Sequence, residues 1–312
     1  MNEKVIKVRK SILKHKHLRE VLYEVMTLGD DAPLEAYVRL FEEFKHSSLI
    51  IAGNFGEDLM DMSTVKTEIG VFGMLFTDMD EFNKVFPDYE VGSKEHFFTT
   101  YVDFLKKTDL SGYILNFKSE GFIMPRELMD SFKDLPDFNF PTDDAYNSKE
   151  LKNLKDSINN EKLERFIKDP KNIAKYDELF EEMSSSTLLT LMLSKDDLSD
   201  NAEDGIISSS KDNPVGFLYI DHLGGEYATV YTSEEKMTAI NTPFKKYSQI
   251  VNPAHMVMFV LNEDMDGLII NPGNEQILLT RETLLDYSGV IEKTCNNEKL
   301  NKAMLCMFLM EV

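Results

Sequence analysis

The chain contains segments with helical apolar spacing and others with short, continuous apolar runs. In PLEAYVRLFEEFKH (33–46) apolar residues recur every three or four positions, which predicts an amphipathic helix. LIIAG (49–53) and VFGMLF (71–76) predict buried strands. The runs that start at Phe98 and His255, FTTYVDFLKK and HMVMFVL, leave strand and helix open. The mixture predicts an α/β fold, in which a small mixed sheet is flanked by helices.

Much of this pattern occurs twice. Residues 77–127 align with residues 232–282 without a gap, and apolar positions that differ stay apolar, such as Leu115 with Ile270 and Ile123 with Leu278. Upstream, LFEEFKHSSLI from Leu40 aligns with LFEEMSSSTLL from Leu179 at a different offset. The second copy therefore carries an insertion, the acidic and serine-rich loop 194–213, of the kind that loops accommodate at little cost. Identical pairs include Thr77 and Thr232, Gly112 and Gly267, Asn116 and Asn271, Glu120 and Glu275, and Arg126 and Arg281.

The repeat predicts two tandem domains related by a pseudo-twofold axis. The first domain is assigned to residues 1–135 and includes an N-terminal helix, and the second to residues 163–312 with the loop 194–213. Residues 136–162 are polar, with prolines and acidic residues, and are assigned to a linker.

Each copy ends in a predicted hairpin that leads into a helix. SGYILNFKSEGFIMPREL begins at Ser111, and DGLIINPGNEQILLTRET begins at Asp266. Pro272-Gly273 supplies the turn chemistry in the second copy. Earlier in each copy, Thr77 and Thr232 are predicted to cap the helix that follows a strand.

These segments resemble the SseB N-terminal domain family, named for an enhanced serine sensitivity phenotype. The similarity is carried by LFTDMDE (75–81), VYTSEE (230–235) and DGLIINPGNEQILLTRETL (266–284), and covers about residues 40–135 and 179–287. The first copy departs from the family pattern at Phe117-Lys118, where Pro-Gly is usual. The resemblance implies a compact mixed α/β domain with no established catalytic residues. Two copies in one chain differ from the family arrangement of one such domain followed by a distinct C-terminal domain.

Charge and cysteine content narrow the classes of function. The formal net charge of -21 argues against nucleic-acid binding, which needs a basic surface.

The first twenty residues are locally basic, and could lie on an anionic surface, on the acidic body of the protein or in solvent. They lack the apolar core of a signal peptide, so Cys295 and Cys306 are expected to be reduced thiols in a cytoplasmic protein. The apolar run 303–310 is too short to span a bilayer and predicts a buried strand or helix.

A search for chemistry gives no catalytic, cofactor-binding or metal-binding set. The sequence has no phosphate-binding loop, no nucleophile elbow and no Cys-x-x-Cys spacing, and its six histidines are scattered. The repeated polar residues Asn116, Arg126, Asn271 and Arg281 are the candidate ligand-binding residues. An arginine beside an asparagine could bind a carboxylate. Alternatively, each arginine pairs with Glu120 or Glu275 and stabilises its hairpin.

Two functions follow from these observations. The first is a non-enzymatic, cytoplasmic interaction or scaffold protein that binds a protein partner. The alternative is a sensor of a small ligand, an amino acid or another acidic metabolite, with its site between the two domains.

Overall fold

The computed structural model describes residues 15–53, 62–87, 92–130, 153, 155–172, 174–198, 202–203, 206–207, 215–273, 275–294 and 310–311. They belong to two compact units, one within Ser11–Phe138 and the other within Asn139–Val312, which we call the first and second units. Both units combine helices with β-sheet, so the predicted mixed α/β class is confirmed.

The first unit is built on one sheet with a parallel pair at its centre. The order is β4-β1-β3-β5-β6, β2 also pairs with β3, and β3 and β5 run parallel. The strands are β1 (Ser48–Gly53), β2 (Thr64–Thr67), β3 (Gly70–Phe76), β4 (Gly92–Phe97), β5 (Gly112–Leu115) and β6 (Phe122–Pro125). The helices are α1 (Lys16–Leu28), α2 (Leu34–Lys45), α3 (Met79–Val85), α4 (Phe98–Leu105) and α5 (Arg126–Asp130), with a 3-10 turn at Gly29–Asp31.

The core of the first unit follows from the apolar pattern of its helices. Leu22 on α1 and Leu40 and Phe44 on α2 are buried in one cluster with Leu75 and Leu115 of the central strands. The helix predicted over 33–46 is therefore confirmed; its Leu40 and Phe44 are buried in the core, whereas Leu34 and Val38 are exposed.

The second unit also combines helices with mixed β-sheet. Its helices are α6 (Glu161–Lys168), α7 (Tyr176–Ser184), α8 (Glu234–Thr238), α9 (Pro253–Asn262) and α10 (Arg281–Thr294), with a 3-10 turn at Pro170–Asn172. Its strands are β7 (Leu188–Ser194), β8 (Ala202–Glu203), β9 (Ile206–Ile207), β10 (Gly216–Phe217), β11 (Tyr219–His222), β12 (Gly225–Val230), β13 (Lys245–Val251), β14 (Gly267–Ile270), β15 (Ile277–Thr280) and β16 (Met310–Glu311). They form the orders β10-β7-β13-β16 and β11-β12-β14-β15, joined by a bridge between Leu189 and Tyr231, and a separate β8-β9 pair.

Strand registers recur between the units at the offsets found in the sequence. Phe72 lies opposite Gly112 in the parallel pair β3-β5, and Tyr227 lies opposite Gly267 in β12-β14, an offset of 155 positions. In the antiparallel pair, Leu49 faces His96 in β1-β4, and Leu188 faces Val251 in β7-β13. Corresponding strands therefore pair residue for residue, including across the insertion.

Several sequence predictions lie at the margins of the described residues. The N-terminal helix is present as α1 from Lys16 onwards, and residues 1–14 lie outside the described residues. Of the C-terminal run 303–310 the structure describes only Met310, which belongs to β16, so the prediction for residues 303–309 lies outside the described residues. Ile158 packs on the second unit although it belongs to the predicted linker 136–162; the domain boundaries themselves stay a prediction.

Of the acidic loop 194–213, the structure describes 194–198, 202–203 and 206–207. Cys295 and Cys306 lie outside the described residues. In the described part of the chain, no helix is both long and apolar enough to cross a bilayer.

His255 gives the second unit a predicted dependence of stability on pH. It lies in the first turn of α9, is buried, and its burial lowers the pKa of the imidazole to about 4. Because the unfolded chain binds this proton near pH 6.5, stability is full above that pH and is lost as the pH falls towards 4. We expect a loss of about 2 kcal/mol between pH 6.5 and 5.

Urea unfolding monitored at several pH values checks this expectation. The variant His255→Leu should show a flatter profile between pH 6.5 and 5 than the natural chain. Parallel profiles for the two proteins would show that His255 does not carry the effect.

Candidate functional site

The carboxyl ends of the central parallel strands are the first place to look for a site. Ligands of α/β proteins commonly bind at this edge, where loops diverge from neighbouring strands. In the first unit β3 and β5 end at Phe76 and Leu115, and the next residues are Thr77 and Asn116. In the second unit Thr232 and Asn271 occupy the equivalent positions.

Asn116 and Asn271 use their side chains to fasten the adjacent strand end. Asn116 has a left-handed backbone (φ 49°), and its Oδ1 accepts a hydrogen bond from the backbone N–H of Thr77 at 3.0 Å. Its Nδ2 donates to the Thr77 hydroxyl at 3.0 Å. Asn271 makes the same two bonds with Thr232, at 2.9 and 3.0 Å. Each asparagine thus continues the strand pairing beyond the last ladder bond, and both are 1% exposed.

The predicted capping role of Thr77 and Thr232 is wrong by one residue. The N-cap of α3 is Asp78, whose carboxylate accepts from the backbone N–H of Glu81, and the N-cap of α8 is Ser233. Each threonine hydroxyl is instead engaged by the asparagine of the neighbouring strand.

Arg126 and Arg281 bind backbone carbonyls at the end of a helix. Arg126 donates to the carbonyls of Leu105 and Leu110 at 3.0 and 3.1 Å, and also to that of Thr108. Arg281 donates to three carbonyls, those of Val260, Leu261 and Met265. These acceptors lie at the carboxyl ends of α4 and α9 and in the loops that follow. Terminal carbonyls lack partners within their helix, so a cation satisfies them and complements the helix dipole.

The structure separates the residues that the sequence placed side by side. Arg126 follows Pro125, which pairs with Gly112 at the start of β5, whereas Asn116 follows the end of that strand. The expectation that the arginine lies beside the asparagine of its own unit is therefore wrong. The expected pairing with Glu120 or Glu275 is also wrong, since these glutamates bind Arg19 and Lys236. The observed contacts favour a structural role, and the ligand-binding role stays a prediction.

A charged cluster covers the same strand edge in the first unit. Arg19 on α1 contacts the carboxylates of Asp78, Glu81 and Glu120 at 3.3, 3.1 and 2.9 Å. Burial disfavours the charged form of Glu81, but hydrogen bonds from Lys84 and Ser119 outweigh it, and the pKa of Glu81 lies below its usual value. Sequence reasoning missed this cluster because Arg19 is 101 residues from Glu120.

The second unit has the corresponding cluster with two charges exchanged. Lys236, the counterpart of Glu81, lies 3.6 Å from the carboxylates of Glu164 and Glu275. Glu164 comes from α6, whose Leu163 is buried in the core as Leu18 of α1 is, and it takes the place of Arg19. The first unit therefore pairs Arg19 of α1 with Glu81 of α3, and the second unit pairs Glu164 of α6 with Lys236 of α8. Opposite charge is kept, which indicates that the pair links the first helix of each unit to α3 or α8.

This exchange predicts a rescue experiment. Glu81→Lys alone should destabilise the first unit by about 3 kcal/mol, because Arg19 then faces a buried like charge. Adding Arg19→Glu should recover at least about 1 kcal/mol, since the introduced lysine would then lie between the introduced glutamate and Glu120, as Lys236 lies between its two glutamates. A double-mutant cycle, followed by amide exchange in α1 and β3, measures the coupling. Strictly additive losses would contradict the proposed equivalence.

Several exposed apolar side chains of the described part of the first unit lie on its first two helices. Five side chains, which we call the apolar helix face, are each at least 41% exposed: Tyr23, Met26 and Leu28 of α1, and Leu34 and Val38 of α2. Leu34 and Val38 are one helical turn apart and are 74% and 51% exposed. A salt bridge between Glu24 and Arg39 at 3.2 Å links the two helices.

Neither a metal centre nor a relative identifies the chemistry. Among the described residues, no group of three or more histidine, cysteine, aspartate or glutamate side chains could hold a metal ion. Comparisons with protein-family models, with curated proteins and with solved structures gave no match. The resemblance to the SseB N-terminal domain family thus stays a prediction.

Proposed function

We propose that this chain is a non-enzymatic interaction protein of the cytoplasm, built from two copies of one SseB-like α/β unit. The duplication is supported by strand registers, Asn–Thr bonds and Arg–carbonyl bonds that recur at equivalent positions. The observation that carries the function is the apolar helix face, which places five large apolar side chains in solvent on two neighbouring helices. Grouped exposed apolar residues are characteristic of protein-binding surfaces.

The contacts of the repeated polar residues support the same proposal. The side chains of Asn116, Asn271, Arg126 and Arg281 all bind the backbone or a threonine hydroxyl within their own unit. The alternative proposal, sensing of an acidic metabolite, would need these groups to face a ligand. A thermal-shift screen with amino acids and nucleotides tests this alternative, because a ligand of the folded state raises the melting temperature.

The partner is expected to present an apolar surface to α1 and α2. Burial of exposed leucine, valine and tyrosine side chains would supply most of its affinity, and Glu24 and Arg39 would contribute mainly to orientation.

A surface variant tests the proposed function. The double variant Leu34→Ser/Val38→Ser should lower recovery of the specific partner in quantitative affinity capture by about tenfold, as expected when central apolar anchors are removed. The matched control is Ile69→Ser, which removes an apolar side chain that is 68% exposed at the β2-β3 turn of the same unit.

Circular dichroism must first show that both variants are folded; recovery of the partner then distinguishes an interaction role from its absence. A partner lost by the double variant and kept by Ile69→Ser supports an interaction role. Equal recovery with both variants, or a measured turnover by the purified chain, would contradict it.

A further inference from the structure

The apolar helix face has exposed carboxylate groups at both of its ends. Towards the start of α1, Glu20 lies three positions before Tyr23, so the two side chains are neighbours on the helix surface. At the other end, Asp31 lies in the connection between α1 and α2, and Glu35 lies three positions before Val38. All three of these acidic residues are exposed.

The basic side chains of the two helices do little to neutralise these carboxylates. Three of the four lysine and arginine residues of α1 and α2 lie beside a different carboxylate. Arg39 pairs with Glu24 at 3.2 Å, and Lys45 lies 3.9 Å from Glu42. Arg19 contacts the carboxylates of the charged cluster at the strand edge. The exposed charge beside the apolar helix face is therefore mainly negative.

This charge argues against a second copy of the chain as the occupant of the face. Because both ends are acidic, two copies that met through this face would bring carboxylates together in either direction of packing, and like charges disfavour an interface. An anionic membrane surface is disfavoured for the same reason.

The described residues also favour another protein over a segment of this chain. No described segment covers Leu34 or Val38, which are 74% and 51% exposed. The first unit lies within Ser11–Phe138, so it does not include the basic residues at positions 4–10. A complementary partner of this face must bring both apolar side chains and positive charge.

We propose that the apolar helix face binds an amphipathic helix of a partner protein, whose apolar stripe has lysine or arginine residues at both ends. Two neighbouring helices present ridges of side chains against which a third helix packs, and such recognition uses apolar anchors spaced three and four residues apart. Residues 23–28 extend about 8 Å along α1, which matches about one and a half turns of a partner helix. This inference rests on the proposed interaction function and adds the class of partner.

Two designed helical peptides with the same leucine stripe serve as probes. One carries lysine in its first and last turns, and the other carries glutamate at the same positions. The lysine peptide should bind the full-length chain at least about tenfold more tightly than the glutamate peptide, and added salt should reduce the difference. Equal binding of the two peptides would overturn the proposal.

Variants of the acidic residues locate the effect. Glu20→Gln/Glu35→Gln should weaken binding of the lysine peptide by about tenfold, because one carboxylate is lost at each end of the face. The matched control is Glu178→Gln/Glu181→Gln, which neutralises two exposed glutamates on α7 of the second unit and should bind within about twofold of the natural chain. An equal effect of the two double variants would contradict the assignment.

Two further outcomes would overturn the proposal, since the occupant would then be of another kind. One is a concentration-dependent dimer of the full chain that Leu34→Ser/Val38→Ser abolishes. The other is binding to phosphatidylcholine or phosphatidylserine vesicles that the same variant abolishes. If this variant loses the captured partner but neither peptide is preferred, the interaction function stands and the basic helix fails, so the two proposals can be distinguished.

Discussion

Replacing Gly112 by alanine is expected to unfold the first unit. Gly112 begins β5 with φ of +144°, and a Cβ at this position would lie 2.1 Å from the carbonyl oxygen of Met124 on β6. That contact is with backbone, so it cannot be relieved by rotating a side chain. We expect a loss of at least about 4 kcal/mol, a large part of the stability of an ordinary domain. Loss of amide protection in β3 and β5, measured by hydrogen exchange, reports the effect for this unit alone.

Gly121→Ala is the matched control in the same hairpin. Gly121 also has positive φ, +59°, but its nearest contact for an added Cβ is an ordinary 3.7 Å to the carbonyl of Phe117. Its cost should be confined to the backbone preference of about 1–2 kcal/mol. Equal protection in the two variants would show that the close approach of β5 to β6 is not present in solution.

Arg281→Met is expected to be the most damaging single side-chain truncation at the repeated polar positions. Arg281 is 6% exposed and donates to the carbonyls of Val260, Leu261 and Met265. Methionine fills a similar volume but donates no hydrogen bond, so buried carbonyls at the end of α9 lose their partners. With about 1–3 kcal/mol for each buried unsatisfied group, we expect a loss of at least about 3 kcal/mol from the second unit.

Arg165→Met is the control for the loss of an arginine. Arg165 is 74% exposed on α6 and pairs with Glu161 one turn earlier, a contact worth about 0.5 kcal/mol or less. Urea unfolding of both variants, with amide exchange in α9 and α10 as the local readout, compares them directly. If Arg281→Met were as stable as Arg165→Met, the guanidinium of Arg281 would not hold the helix end, and its assignment to a ligand would regain support.

The spacing of apolar residues predicted much of the fold, because it shows which side chains of a helix or strand are buried. The helix over 33–46 and the strands within 49–53 and 71–76 have one buried side or a fully buried run, and all are present. The runs at Phe98 and His255 were ambiguous because they form helices that are apolar on several sides. In α9, eight of ten residues are buried, so no polar stripe marks the helical period.

The spacing of apolar residues did not predict contacts between side chains that are far apart in the sequence. Glu120 was expected to pair with Arg126, six positions away, but it binds Arg19 from the first helix. Arg126 is turned towards the carbonyls that end α4, a set of acceptors that exists only once the helix has formed. The identity of repeated residues therefore predicted that they matter to both units, whereas their partners depended on the assembled sheet and helices.

A crystal structure of the full chain is the most direct test of the claim that one unit occurs twice, with its repeated polar residues binding backbone. We expect residues 70–76 and 112–126 to superpose on 225–231 and 267–281, residue for residue. We also expect the guanidinium groups of Arg126 and Arg281 to lie on helix-end carbonyls in both copies. Halves that do not superpose, or either guanidinium turned towards a bound metabolite, would contradict the claim.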